Sequence, residues 1–183
     1  MKQSKIILAS SSPRRKELFE KYHLNYSVDF VDTDEVLDEN LTLFKRLENI
    51  AIQKAKPLQE KYTHHTIVAA DTMVTFNQEM LGKPKDRSDA KRMLQMLSGH
   101  KQTVITGVCV IKDQHIASFS DATDILFKKL SEEEIENYLD TNEWEGKAGA
   151  YAIQGKASQF VENIDGDLEN VIGLPMYKLL NYL

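Results

Sequence analysis

Residues 5–22, KIILASSSPRRKELFEKY, pass from an apolar run through three serines into a proline and a charged, periodic segment. The run KIILA reads as a short buried strand. Ser12 then suits a helix N-cap and Pro13 the first helical position, because the missing N–H of proline has no partner there in any case. The helix is expected to continue to about Tyr22, burying Leu18, Phe19 and Tyr22. A strand feeding a helix at the start of a chain is the first sign of an α/β fold, and the pattern recurs downstream.

YSVDFV (26–31) reads as a second strand, followed by an acidic turn with Asp32, Asp34 and Glu35. Thr42 to Lys56 reads as a helix, with Phe44, Leu47, Ile50 and Ala51 at helical spacing and Pro57 at its end. TIVAADTMVTF (66–76) is a strand, NQEMLGKPKD (77–86) a loop, and Asp86 to Leu97 a helix stopped by Ser98 and Gly99. TVITGVCVI (103–111) is apolar on both faces, which marks a central strand. Asp113 and Gln114 predict a hairpin turn into HIASFSDATDILF (115–127). Ser131 and Glu134 form a capping-box pattern for a helix through Leu139. KAGAYAIQGKA (147–157) reads as loop with strand character, QFVENIDGD and LENVIG as a hairpin, and Pro175 as the opening of a last helix. Strand pairs joined by turns, mixed with crossover helices, imply a mixed sheet.

Composition narrows the function. The chain has 183 residues, 42% hydrophobic and 28% charged, which fits one globular domain able to bury a core without staples. No segment approaches the roughly 20 apolar residues of a membrane span. The single cysteine, Cys109, excludes an internal disulfide and suits a reducing, cytoplasmic setting. In an apolar strand, it is a small buried hydrophobe. A net charge of −5 with only local basic clusters argues against nucleic acid and for a small anionic ligand. P-loop, dinucleotide-binding, zinc-ligand and serine-hydrolase signatures are all absent.

Several residues could carry chemistry. A helix N-terminus with three serine hydroxyls and the forked donors of Arg14 and Arg15 would cradle phosphate; a capped helix with two solvated arginines is the plain alternative. Asp71 lies inside the apolar strand, where a carboxylate is costly unless paired or bound to a cation, so it is a candidate general base or metal ligand. Asp34 and Glu35 could join it at a divalent metal, or belong to a solvated turn. Lys83, between Gly82 and Pro84, suits a phosphate-binding loop or a surface turn. Lys54 sits beside an apolar helix stripe and could reach inward or snorkel outward. Lys147, Tyr151 and Gln154 supply a cation, an aromatic face and an amide that could hold a nucleobase; tight Ala/Gly packing is the alternative.

These motifs together resemble a known family. LASSSPRRKEL (8–18), AADTMV (69–74), LGKP (81–84), LSG (97–99), GKAGAYAIQG (146–155), IDGD (164–167) and VIGLP (171–175) are similar, in order, to motifs of the Maf family, also called the septum-formation-inhibitor-like nucleoside triphosphate pyrophosphatases. The resemblance runs from Ile6 to about Leu180. It implies one Maf-type domain over residues 1–183, with an inosine-triphosphatase-like α/β fold: an elongated mixed sheet flanked by helices, in two lobes with an intervening cleft. It implies a homodimer that needs Mg²⁺ or Mn²⁺ and cleaves a nucleoside triphosphate to the monophosphate and pyrophosphate.

By the same resemblance, Ser10, Arg14 and Arg15 bind phosphate, Asp71 accepts the proton, Lys54 and Lys83 assist, and Glu35 and Asp71 hold the metal. Arg14, Thr72 and Gln154 match the branch acting on dTTP and UTP. Asp34 stands where a second glutamate is commoner, and IAIQKA (50–55) replaces the more usual LAxEKA. The family name suggests a second function, regulation of septum formation through a protein partner. The acidic stretch SEEEIENYLDTNEWEG (131–146) could serve it; Trp144 within it reads as a core-edge aromatic rather than a contact residue.

Overall fold

The computed structural model describes residues 5–183. In chain order the elements are β1 (Ile6–Leu8), α1 (Pro13–Lys21), β2 (Tyr26–Val28), α2 (Leu43–Ala55), β3 (Thr66–Phe76), β4 (Glu79–Leu81), α3 (Arg87–Leu97), β5 (Lys101–Lys112), β6 (His115–Phe127), α4 (Glu132–Leu139), β7 (Val161–Asp165), α5 (Leu168–Ile172) and α6 (Met176–Leu179). Seven strands form one mixed sheet in the order β2-β1-β3-β5-β6-β7, with β4 paired to β3. β1 is parallel to both β2 and β3, whereas β4 runs antiparallel to β3 and β7 antiparallel to β6. The expected mixed α/β sheet with flanking helices is therefore present.

The chain packs as two compact units. One comprises Met1–Thr72, Thr106–Asp121 and Gly173–Leu183; the other comprises Met73–Ile105 and Ala122–Ile172. The strands β3, β5 and β6 each contribute residues to both. In the first unit, Ile7, Ala9, Ala51, Ala55, Leu58, Ile67, Ala69, Cys109 and Ile111 form a continuous buried cluster. Alanines dominate the α2 side of it, so helix and sheet approach closely. At Gly107 in β5 the approach is extreme: a Cβ there would lie 2.2 Å from the Leu47 carbonyl carbon and 2.4 Å from the Glu48 nitrogen. Only hydrogen can face the α2 backbone at that position. Cys109 is fully buried, and burial pushes its thiol up to about 12, which makes it an inert core residue.

The second unit packs α3, α4 and the aromatic residues around Phe127. The Phe127 ring lies 4.9 Å from Tyr151 and 5.9 Å from Phe160, both edge-on, and Tyr138 meets Phe160 at 5.2 Å. Such T-shaped contacts suit the aromatic quadrupole. The capping box is formed: the Ser131 hydroxyl accepts from Glu134 N, and the Glu134 carboxylate accepts from Ser131 N.

Several expectations are corrected. Residues 79–81 are a strand rather than loop, because Asn77 and Gln78 both adopt positive φ and close a two-residue hairpin. LENVIG is no hairpin arm. Asp167 Oδ1 accepts from Glu169 N and starts a short helix, and Asn170 turns inward to donate to Val104 O and Thr123 Oγ1. KAGAYAIQGKA holds turns of 3₁₀ helix instead of strand character, with Gly149 and Ala150 both at positive φ. Phe44 is exposed, whereas Leu47, Glu48, Ile50, Ala51 and Ala55 are the buried residues of α2. Tyr22 caps α1 and is only half-buried. Trp144, by contrast, is buried as its core-edge reading has it, with Nε1 donating to Leu139 O.

Candidate active site

The chemistry-bearing residues of the first unit converge from four segments. Asp71 is carried by β3 one residue beyond its fully buried stretch, and its side chain is 15% exposed. Lys54 projects from the last turn of α2. Its ammonium donates to Asp71 Oδ1 at 2.6 Å and pairs with Glu35 Oε1 at 2.9 Å. The two alternatives for Lys54 are thereby decided: it reaches inward, with its side chain 22% exposed. One ammonium joining two carboxylates satisfies the charge that an apolar strand would otherwise exclude.

Glu35 arrives on the long segment between β2 and α2, and a residue absent from the sequence-based candidates holds it there. The Gln53 side chain accepts from Val36 N at 3.0 Å and donates to Val36 O at 2.9 Å. This two-point amide clamp fixes the residue after Glu35 to the residue before Lys54. The signal in the sequence is the glutamine of IAIQKA: a glutamate there could accept from Val36 N but could not donate to its carbonyl. Asp34 is exposed and makes no ion pair among the described residues.

The serine-arginine stretch is arranged differently from a simple phosphate cradle. Ser12 takes the N-cap position of α1 without a side-chain cap, and its N–H donates instead to Ser10 Oγ. Arg15 turns into the protein. Its Nε donates to Gly173 O at 2.8 Å, and its terminal nitrogens donate to Ser10 Oγ and Thr72 Oγ1, each at 3.1 Å. Burial pulls its guanidinium down to about 10, with Arg14 adding to the effect and Asp71 and Glu35 opposing it. At that value Arg15 remains cationic at neutral pH. Thr72 Oγ1 also shares a 2.9 Å hydrogen bond with the buried Thr106 Oγ1. Arg15 thus ties together the N-terminal loop, β3 and the segment at Gly173. Thr106 is absent from the sequence-based candidates, since one threonine in an apolar strand carries no signal by itself.

The second unit carries the remaining candidates. Lys83 is exposed on the loop after β4. Gln154 is exposed, and its amide makes no hydrogen bond among the described residues. Tyr151 does not offer an aromatic face to a ligand as expected; it is buried edge-on against Phe127. Lys147 is half-buried, its Nζ donating to Glu145 O at 3.4 Å.

Glu35 and Asp71 supply the hard oxygen donors that a divalent cation takes, and both carboxylates are bonded to the Lys54 ammonium. Magnesium sites in phosphate-transfer proteins use one or two carboxylates and leave the other positions to water and phosphate oxygens. No cluster of three or more Asp, Glu, His or Cys able to hold a metal exists among the described residues.

Comparison with known proteins adds an independent line. A family model described as Maf-like protein matches residues 5–183. A dTTP/UTP pyrophosphatase of Bacillus cereus (strain G9842) is 41% identical over 179 residues, covering 98% of this chain and 94% of that protein. A dTTP/UTP pyrophosphatase of Geobacillus sp. (strain WCH70) is 43% identical over 176 residues, covering 96% and 94%. Among solved structures, the Staphylococcus aureus Ham1 protein aligns with a TM-score of 0.46 at 14% identity, over 67% of this chain and 71% of that one.

Proposed function

The chain belongs to the Maf family, and from that membership we propose that it is a hydrolase, a nucleoside triphosphate pyrophosphatase that converts dTTP and UTP to the monophosphate and pyrophosphate. The observation that carries the reading is the Lys54 ammonium bonded to Asp71 and Glu35 on one unit.

In the proposed reaction, a water oxygen forms a bond to the α-phosphorus. The bond from that phosphorus to the bridging oxygen breaks, and pyrophosphate leaves with the electron pair. Asp71 takes the proton of the attacking water. Lys54 holds the Asp71 carboxylate in one orientation, so that no reorganisation is needed as the water is deprotonated. Arg14 and Ser10 bind the phosphates in this reading, and Lys83 is a further phosphate-binding candidate. Arg15, whose donors are engaged by protein acceptors, keeps Ser10 and Thr72 in place. A divalent cation, held when bound by Glu35 and Asp71, would neutralise the charge of the phosphate oxygens. Thr72 and Gln154 select the base: a primary amide offers one donor and one acceptor, which matches the N3–H and O4 edge shared by uracil and thymine.

The chain is further proposed to act as one Maf-type domain, as a homodimer, in the cytoplasm. The lone buried cysteine supports the compartment. No helix among the described residues is long and apolar enough to cross a membrane. The test is a substrate panel. Purified protein with Mg²⁺ or Mn²⁺ is given dTTP, UTP, CTP, dATP, GTP and a methylated GTP, and the products are identified. Monophosphate and pyrophosphate from dTTP and UTP are expected. Release of orthophosphate, or no turnover of any nucleotide by folded protein with metal present, would overturn the reading.

A further inference from the structure

Gln154 sits on a loop whose backbone is held on both sides by one neighbouring region of the second unit. Before it, Ala152 N donates at 3.0 Å to the hydroxyl of Tyr138, a buried residue of α4. After it, Lys156 N donates at 2.8 Å to Glu143 Oε2, and Gly155 N closes a turn onto Ala152 O. Glu143 is itself set by a rigid turn that follows α4. Its N–H donates to Thr141 Oγ1, which donates to Tyr138 O, and Trp144 Nε1 donates to Leu139 O.

The carboxylate lies so close to the loop that a Cβ on residue 155 would fall 2.1 Å from Glu143 Oε2. Gly155 has φ −98 and ψ −150, an extended conformation, so a side chain at residue 155 would meet the Glu143 carboxylate and push it off the loop. The outcome is an immobilised backbone that holds out one exposed amide with no partner among the described residues. That amide has four hydrogen-bonding positions open to a ligand.

We propose that Glu143 is the positioning residue for Gln154. Its carboxylate clamps the Gly155–Lys156 backbone so that the Gln154 amide meets the pyrimidine edge of the nucleotide in a set orientation. This rests on the reading that Gln154 contacts the base. Glu143 touches no reacting atom, so its loss acts on substrate affinity and leaves the chemical step alone.

The experiment measures kcat and KM for dTTP and UTP with the full-length protein and Mg²⁺. The variants are Gln154→Ala, Glu143→Ala, Glu143→Gln, Gly155→Ala and the double variant Glu143→Ala/Gln154→Ala. Gln154→Ala is expected to raise KM about five- to tenfold, the worth of one positioned hydrogen bond. Glu143→Ala is expected to raise KM by a similar factor with kcat within about twofold. Glu143→Gln keeps an acceptor for Lys156 N and stays near wild type. The double variant is expected to be no worse than Gln154→Ala, the signature of one residue acting through another.

Gly155→Ala displaces the carboxylate without removing it and is expected to raise KM like Glu143→Ala, which keeps the test informative should that variant fold poorly. A normal KM in folded Glu143→Ala and Gly155→Ala, beside a raised KM in Gln154→Ala, overturns the positioning role alone. Effects of Glu143→Ala and Gln154→Ala that simply multiply also overturn it. A normal KM in Gln154→Ala overturns the base-contact reading, and the proposal falls with it.

Discussion

Asp71 is conspicuous in the sequence because an ionised side chain interrupts an apolar run, and such a residue needs a partner. Its actual partner, Lys54, is 17 positions away on a helix and lies 2.6 Å from it. Asp71→Asn is expected to lower kcat by at least about a thousandfold while the melting temperature stays within a few degrees of wild type. An active, normally folded Asp71→Asn protein would remove the base from the mechanism. Arg15 reads in the sequence as a phosphate ligand, and its protein partners are invisible there because Gly173 stands 158 positions along the chain. Arg15→Lys keeps the charge but cannot serve three separate acceptors from a planar fork. It is expected to cost roughly 2 kcal/mol of stability, read from denaturant unfolding. A loss no larger than that of a surface substitution would assign Arg15 to substrate alone.

Helix α2 is the element on which the site depends, and two of its polar side chains fix where it lies. Glu48 is 5% exposed and accepts from Lys45 Nζ, Ser118 Oγ and Ser120 Oγ, which ties α2 to β6. Burial alone would raise its carboxyl, but these three hydrogen bonds together hold it below the usual value of 4.5. A depressed value in the fold means stability that is present above the unfolded value and lost as pH falls through the folded one. Glu48→Gln is therefore expected to melt below wild type at pH 7, with the gap closing as the pH falls below the usual value of 4.5. A gap independent of pH would show that the carboxylate charge plays no part.

Gln53 acts on the same helix through its clamp on Val36. Gln53→Glu is expected to lower turnover about fivefold at limiting Mg²⁺ with little change in melting temperature, because Glu35 is then tied at one point instead of two. Unchanged metal dependence would show that the clamp does not govern Glu35. The Asn77–Gln78 and Asp113–Gln114 turns share positive φ at both positions, yet only the second is legible as a hairpin in the sequence. The arm after Gln78 is three residues long, too short for alternation to register.

For the molecule as a whole, the expected dependence on a divalent cation is testable with the chain intact. Chelation with EDTA is expected to abolish turnover, and added Mg²⁺ or Mn²⁺ to restore it. The nucleotide-free protein should keep its melting temperature within about two degrees, because Lys54 already bridges Glu35 and Asp71. Full turnover in EDTA would remove the metal from the reaction.

Local information determined much of this protein. Hydropathy period marked most strands and helices, capping residues marked their starts, and the ordered motifs from LASSSPRRKEL to VIGLP identified the family. These signals are legible because propensity, capping and turn chemistry act between residues a few positions apart. Other matters were left to the tertiary structure. It brought Glu35, Lys54 and Asp71 to one point, turned Arg15 inward, set Gln53 against Val36 and placed the Glu143 carboxylate against Gly155. Each of these is a short contact between polar groups on separate segments. Its formation depends on how closely those segments approach, and that approach is set by packing across the whole core, such as the bare Gly107 under α2.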